Sequence, residues 1–261
     1  MRILFAGILA LLPSLSLAQA AQSVSPEQSH IAAPSRDGGV REVLESIVIP
    51  PLPNAPFTAT LDTEWVRYAG EGATITLVNE RHIARDRNGR VYQERWYLVP
   101  KNGKVKSEMN WIQIADPKQH TLYNCSPQRH ICELRNYEPS EELSAGAPRT
   151  PIPSGEVQRG PTTVEDLGTR SIAGVETIGR RETTVIAPGE MGNDQAVTAI
   201  NETWHSQELG INLLSTRSGP IVGRQTFTIT ELSSSDPDSH LFDLPVGYEV
   251  RDVRKSAPIS H

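Results

Sequence analysis

The sequence is poor in the residue types that mark several common classes of protein. Only two of its 261 residues are cysteine, too few for a disulfide scaffold or a four-cysteine zinc site. Aromatic residues make up 5% of the chain, and 31 acidic residues exceed 25 basic ones, which argues against a broad basic surface for nucleic acid. The common motifs of nucleophilic, zinc-dependent and phosphate-binding enzymes are also missing. The sequence therefore specifies no reaction, and it predicts no cofactor and no metal.

The N-terminus has the features of a signal peptide. Arg2 precedes an apolar run over 3–12, and Ala18 and Ala20 are the small residues that signal peptidase requires. The run is shorter than the about 18 apolar residues that span a membrane, and no later segment reaches that length. We predict cleavage near Ala20, so that residues 1–20 are removed and the chain is periplasmic or secreted and not membrane-spanning. A buried N-terminal helix is the alternative.

The next segments have little periodicity. Residues 21–38 are rich in Ser, Gln, Ala and Pro, which predicts a flexible leader. Apolar residues then follow a helical period up to Pro50, and an extended arm is the alternative to this short helix; the residues are Val40, Val43, Leu44, Ile47 and Val48. Residues 138–162, rich in Pro, Gly, Ser and Glu, predict a loop or linker, and residues 252–261 a tail.

From residue 57 onward the pattern has a period near two, which is typical of strands. Turn signals separate the runs, and Asn88-Gly89 and Asn102-Gly103 are strong hairpin signals because a tight hairpin turn needs positive φ angles. The predicted strands are Phe57–Tyr68, Thr74–Arg85, Val91–Val99, Val105–Ala115, His120–Cys125, Ile131–Tyr137, Leu167–Ile186 with a break at Ala173-Gly174, Ala196–His205, Ile211–Thr216 and Arg224–Leu232.

These runs predict a mainly β fold. Short turns join neighbouring runs, so the strands form a curved antiparallel sheet, a half-barrel-like meander with one or two short helices. The apolar stretch Leu241–Tyr248 is expected to dock on this sheet. We predict a single β-rich domain over residues 39–251, and two small β domains divided at the linker are the alternative.

The two cysteines adjoin neighbouring predicted strands. A hairpin would place Cys125 opposite Cys132, at a separation that a disulfide spans, and an exported protein meets oxidising conditions. We therefore predict a disulfide between them. A redox pair would favour closer spacing, and metal binding by Cys125, His130 and Cys132 would need a fourth ligand.

The acidic residues beside aromatic ones are the candidates for chemistry. Glu94 lies near Trp96, and Glu202 lies near Trp204 and His205. Strand alternation puts Glu202 and Trp204 on one face and His205 on the other, so adjacency alone creates no catalytic pair. The sequence therefore predicts no catalytic residue.

The third predicted strand carries aromatic residues on both faces. Tyr92, Glu94, Trp96 and Leu98 share one face. A central strand buried on both sides has this pattern, and so does a curved sheet whose concave face holds an apolar ligand. Ordinary core packing and ligand contact both remain open for Tyr92, Trp96 and Leu98, which are the possible ligand-facing residues.

Short segments along the mature chain resemble, in order and spacing, a group of uncharacterised secreted proteins of acidobacteria, to which no activity is assigned. The segments that carry this resemblance are Ile49–Phe57, Glu64-Trp65, Ile83–Asp86, Gln93–Arg95, Ala115–Pro117, Asp166–Gly168, Ile172–Val175, Gly192–Asp194, Glu202–Ser206 and Leu241–Pro245. A strand meander that ends in Leu241–Tyr248 is also similar to the periplasmic lipoprotein-carrier fold of LolA and LppX type, which the sensor RseB shares. That resemblance implies a curved sheet that often holds acyl chains.

Three functional hypotheses follow. The first is an exported envelope protein that binds an apolar or lipid-like ligand, or the lipidated end of a partner, on a curved sheet. The second is a structural or sensory envelope module that presents a sheet edge to another protein. The third is a hydrolase, which requires a cleft that joins Glu94 or Glu202 to a histidine from another strand.

Overall fold

The computed structural model describes residues 47–137, 161–220 and 222–254. The predicted signal peptide (1–20), the leader (21–38), most of the predicted helix (40–48), most of the linker (138–162) and most of the tail (252–261) lie outside the described residues. Ile47 and Val48 are described and are not helical. The helical segments of the described part are two short 3-10 turns, Gly70–Gly72 and Ser239–Phe242.

Thirteen strands are present in the described residues. The first meander consists of β1 (Phe57–Tyr68), β2 (Thr74–Arg85), β3 (Val91–Trp96), β4 (Val99–Pro100), β5 (Met109–Asp116), β6 (Thr121–Ser126) and β7 (Ile131–Asn136). The second consists of β8 (Thr162–Ile172), β9 (Val175–Ile186), β10 (Val197–Ser206), β11 (Ile211–Gly219) and β12 (Gly223–Ser233), and β13 (Glu249–Asp252) follows the second 3-10 turn.

The strands form one curved sheet that does not close on itself. The order is β13-β7-β6-β5-β3-β2-β1-β12-β11-β10-β9-β8, and β4 pairs with β2 beside this path. Neighbouring strands are antiparallel, as the short connections predict, except for the parallel pair of β13 and β7. The mainly β, curved antiparallel fold is therefore confirmed. Pairing of β1 with β12 joins the two meanders across the middle of the sheet.

The first meander differs from the predicted strands in two of its runs. The predicted run Val91–Val99 is interrupted after Trp96, because β3 pairs with β5 while Val99 and Pro100 pair with β2. The predicted run Val105–Ala115 begins only at Met109, so residues 101–108 form a loop. Strand β13 was not predicted, because its four residues are exposed and mostly charged and its pairing partner is distant in the sequence.

Both sides of the sheet carry an apolar cluster. On one side, which we call the core face, apolar residues of β1, β2, β11 and β12 pack with Ile47, Ile49 and Leu209. Phe57, Leu61, Leu213, Phe227 and Ile229 are the large residues at its centre. The opposite side carries Asp62, Glu64 and Glu80 and is called the acidic face.

The acidic face has a smaller apolar cluster near β3. Ala84, Tyr92 and Ile114 stand side by side on β2, β3 and β5, and Phe242 covers them. Leu241 and Leu244 pack at its margin. The apolar stretch at the C-terminal end therefore docks on the sheet as its composition predicts.

The disulfide prediction is confirmed. Cys125 and Cys132 are directly opposite each other in β6 and β7 and are bonded. Their sulfur atoms are therefore unavailable as the thiolates that a metal site with His130 would need. None of the helical segments in the described part of the chain has the length and hydropathy of a membrane span.

Candidate functional site

Two of the three predicted ligand-facing residues meet at a buried carboxylate. The Tyr92 hydroxyl donates to Glu94 Oε1 at 3.0 Å, and Trp96 Nε1 donates to Glu94 Oε2 at 2.7 Å. Burial, followed by the charge of Glu94 and its hydrogen bond, raises the pKa of Tyr92. Leu98 does not share their face as predicted: it packs with Trp65 and Leu77 on the core face of β1 and β2, because the strand is interrupted after Trp96 and the alternation does not continue through Leu98. Tyr92 and Leu98 are buried in protein contacts and Trp96 is half-buried; contact of the three with a ligand stays a prediction.

Glu94 also fills an opening in the sheet. The ladder between β2 and β3 covers only residues 83–85 and 91–93, and beyond it the backbone N–H of His82 donates to Glu94 Oε2 at 3.1 Å. The Arg81 guanidinium donates to the Glu94 carbonyl, and burial together with the charge of Arg95 lowers the Arg81 pKa to about 9, although Glu94 opposes the shift. Glu94 thus replaces missing backbone partners of the sheet.

Glu202 takes part in a different network on the acidic face. Trp204 Nε1 donates to it at 2.9 Å, and the Arg181 guanidinium bridges it to Glu165. The hydrogen bond from Trp204 is the largest cause that lowers the Glu202 pKa, and Arg181 adds to it. The ring of His205 contacts Asn212 instead, as strand alternation predicts.

The hydrolase hypothesis requires a histidine ring beside Glu94 or Glu202. Among the described residues, the hydrogen bonds of these two carboxylates come from the tyrosine, tryptophan, arginine and backbone donors given above, and none comes from a histidine ring. The same part of the chain contains no group of three His, Cys, Asp or Glu residues that could hold a metal ion. His82 is adjacent to Glu94 through its backbone N–H.

A cavity of about 430 Å³ lies on the acidic face, in the middle of the sheet. Most of its lining residues come from two rows of side chains that cross β12, β1 and β2 in register, because directly paired residues point to the same side of a sheet. One row is Thr226, Glu64, Val78 and Val99, and the other is Thr228, Asp62 and Glu80. Thr63, Asn79 and Ser107 complete the lining.

The loop between β4 and β5 forms one wall of this cavity. Ser107 lines it and donates to the carbonyl of Tyr97, which holds the end of the loop against the connection between β3 and β4. At the other end, Lys101 Nζ lies 2.6 Å from Glu64 Oε2. Asn79 Nδ2 donates to the Trp96 carbonyl and so connects the cavity lining to β3.

The sequence alone did not reveal this cavity. The alternation of Asp62 with Glu64 and of Val78 with Glu80 was visible within two predicted strands. These residues become neighbours only when β1 pairs with β2. Thr226 joins the cavity lining only when β1 pairs with β12, a strand about 160 residues away in the sequence. A charged residue at alternate positions of adjacent strands is the signal from which a shared acidic face could be suspected.

No protein-family model and no curated protein matches the chain. Among solved structures, it is similar to MucB of Pseudomonas aeruginosa in complex with MucA, at 12% identity and a TM-score of 0.38, over 75% of this chain and 58% of that one. It is also similar to the lipoprotein LppX of Mycobacterium tuberculosis, at 14% identity and a TM-score of 0.30, over 69% and 88% of the two chains. A third similar structure is LprF of Mycobacterium bovis, at 10% identity and a TM-score of 0.27, over 70% of this chain and 89% of that one.

The predicted likeness to structures of LppX type is therefore found, at low identity. The chain spans 58% of the length of the MucB chain that it matches. Because the three TM-scores are below 0.5, the function proposed below is based on the cavity and the residues around it.

Proposed function

We propose that this chain is an exported envelope protein that binds a small, partly apolar ligand in the cavity between the acidic face and the loop of residues 101–108. The observation that carries the proposal is the cavity itself. Its volume of about 430 Å³ falls within the roughly 300–1,000 Å³ that is usual for small-molecule sites. The predicted signal peptide and the disulfide favour an envelope location.

The lining suits a ligand with an apolar part. Val78 and Val99 are paired side by side at one end of a row, and Thr226, on the far side of Glu64, and Thr228 also line the cavity. The aromatic residues Tyr92 and Trp96, which the sequence predicts as possible ligand contacts, are close by along the chain, but Tyr92 already packs against Phe242. We therefore assign the apolar ligand of the first hypothesis to the cavity, beside Val99 of β4.

A cavity-filling substitution tests this function. Thr226→Trp places an indole in the cavity, and Thr216→Trp is the matched control because Thr216 is also half-buried, pairs with Thr226 on the same face and does not line the cavity. Binding of the uncharged apolar dye N-phenyl-1-naphthylamine to the purified proteins is measured by fluorescence. We expect Thr226→Trp to lose about tenfold or more in affinity, equivalent to at least 1.4 kcal/mol, and the control to bind like the unmodified chain.

Two results contradict the proposal. One is an unmodified protein that binds no dye and releases no small molecule on solvent extraction and native mass spectrometry. The other is equal dye binding by both tryptophan variants when circular dichroism shows that both are folded.

A second function, presentation of a sheet edge to another protein, is favoured by β8. This strand has 11 residues, nearly all of them exposed, and it pairs only with β9 among the described strands. Its Val164 is 58% exposed. An unpaired strand edge of this length can accept a further strand from a partner protein.

A further inference from the structure

The cavity carries an excess of negative charge. Asp62 and Glu80 face each other across β1 and β2, and Glu64 is the next acidic residue on the same side of β1. Like charges in directly opposed positions destabilise a sheet. Lys101, which does not itself line the cavity, pairs its ammonium with Glu64, and the described lining residues include no cation. A positively charged group inside the cavity would therefore relieve a repulsion that the fold itself maintains.

The protein already places one ammonium at this site. Lys101 reaches Glu64 from the loop wall, and about half of the lysine side chain remains exposed. Its position, with Nζ 2.6 Å from Glu64 Oε2, shows that a primary amine on an unbranched hydrocarbon chain can reach this one carboxylate. An exposed ion pair of this kind contributes little stability, so a ligand amine can compete with it.

The apolar side of the cavity is adjacent to the carboxylates. Val78 is paired with Glu64 on one side and with Val99 on the other. A hydrocarbon chain that lies over the two valines therefore has its end within reach of an acidic side chain. Fatty acids and other anionic lipids would meet repulsion at the same position.

We propose that the ligand is an amphipathic amine, whose ammonium binds among Asp62, Glu64 and Glu80 while its hydrocarbon chain packs on Val78 and Val99. This inference depends on the proposed function, because it names the ligand class of the same cavity. The ammonium of the ligand can replace the ammonium of Lys101 at Glu64.

Three ligands with the same chain test the charge preference. Binding of n-decylamine, n-decanol and n-decanoate to the purified protein is measured by isothermal titration calorimetry at neutral pH, below their micelle concentrations. We expect the amine to bind about tenfold or more tightly than the alcohol, and the carboxylate to bind most weakly. The advantage of the amine over the alcohol should decrease as salt is added, because salt screens charges that are in contact with solvent.

A matched pair of variants assigns the preference to the cavity. Glu80→Gln removes one carboxylate of the lining, and Glu176→Gln removes an exposed strand glutamate that does not line it. We expect the first to reduce the preference for the amine several-fold, and the second to leave it unchanged. Asp62→Asn provides a second test of the same kind if Glu80→Gln does not fold.

The outcomes separate this inference from the proposed function. Equal binding of amine and alcohol, tighter binding of the carboxylate, or an unchanged preference in folded Glu80→Gln and Asp62→Asn overturns the amine inference while a binding function stands. Failure of all three ligands and of the neutral dye overturns both.

Discussion

A single buried arginine connects three parts of the core. Arg85, fully buried in β2, donates to the carbonyls of Ala55, Pro50 and Leu209 at 2.6–2.9 Å and lies over the ring of Phe57. Burial lowers its pKa to about 10, so it remains charged at neutral pH. Because backbone carbonyls rather than a carboxylate surround it, the guanidinium satisfies acceptors that would otherwise be buried without partners.

We expect Arg85→Met to lower the free energy of unfolding by about 3–5 kcal/mol, because each buried acceptor left without a partner costs about 1–3 kcal/mol. Arg87→Met is the control, since the Arg87 side chain is 67% exposed and its ion pair with Asp236 is on the surface. The control should change stability by less than about 0.5 kcal/mol. Urea unfolding followed by circular dichroism measures both, and similar losses in the two variants would contradict the role assigned to Arg85.

In the β9–β10 pair, the indole ring of Trp204 packs directly over Gly179. Gly179 is directly opposite Trp204, and a Cβ atom at Gly179 would lie 2.7 Å from two atoms of the indole ring. The Arg170 guanidinium lies 3.7 Å from the centre of the same ring. The indole thus lies across β9 in a space that only glycine leaves open, and the buried Trp204 compensates for the missing side chain.

We expect Gly179→Ala to displace the Trp204 ring and to lower the free energy of unfolding by about 1–3 kcal/mol, the usual cost of overpacking. Gly70→Ala is the control, because Gly70 has open space around its Cβ position and no positive φ angle. Near-ultraviolet circular dichroism reports the ring, and urea unfolding reports the stability. An unchanged tryptophan signal and stability in Gly179→Ala would show that the ring relaxes without cost.

The strand boundaries show where local sequence signals are sufficient to predict the beginning and end of a strand. The observed β1 and β2 coincide with the predicted runs, because alternating side chains and strong turn signals bound both of them. The interruption after Trp96 was not predictable in the same way. It arises because β2 pairs with β3 at one end and with β4 at the other, and no residue of the run itself encodes this change of partner.

The two meanders are continuous parts of one sheet. Pairing of β1 with β12 extends over most of β1 and places Leu61 and Ile229 side by side in the core. Phe227 of β12 is fully buried in that cluster. This contact lies between the two halves of the chain, so its loss affects both. The single-domain interpretation of residues 39–251 remains a prediction that unfolding experiments can test.

We expect the two meanders to unfold in one cooperative transition. Phe227→Ala should lower the stability of both by about 3–5 kcal/mol, because it leaves a cavity at the junction. Hydrogen exchange with mass spectrometry, at increasing urea, follows peptides from β3–β5 and from β9–β10. Val164→Ala, on the exposed edge strand, should leave both unchanged. Separate transitions for the two sets of peptides would favour the alternative of two small β domains.

The amino-acid sequence by itself determined most of the strands and turns, the disulfide and the apolar residues on both faces of β3, because all of these depend on alternation and turn residues within short stretches of chain. It indicated Tyr92, Trp96 and Leu98 as possible ligand-facing residues and left ordinary core packing open for them. Only the tertiary structure decided where the cavity lies, because register between distant strands brings Asp62, Glu80 and Thr228 together. A shift of one residue in either pairing would reverse the face of every side chain, so no local pattern contains that information.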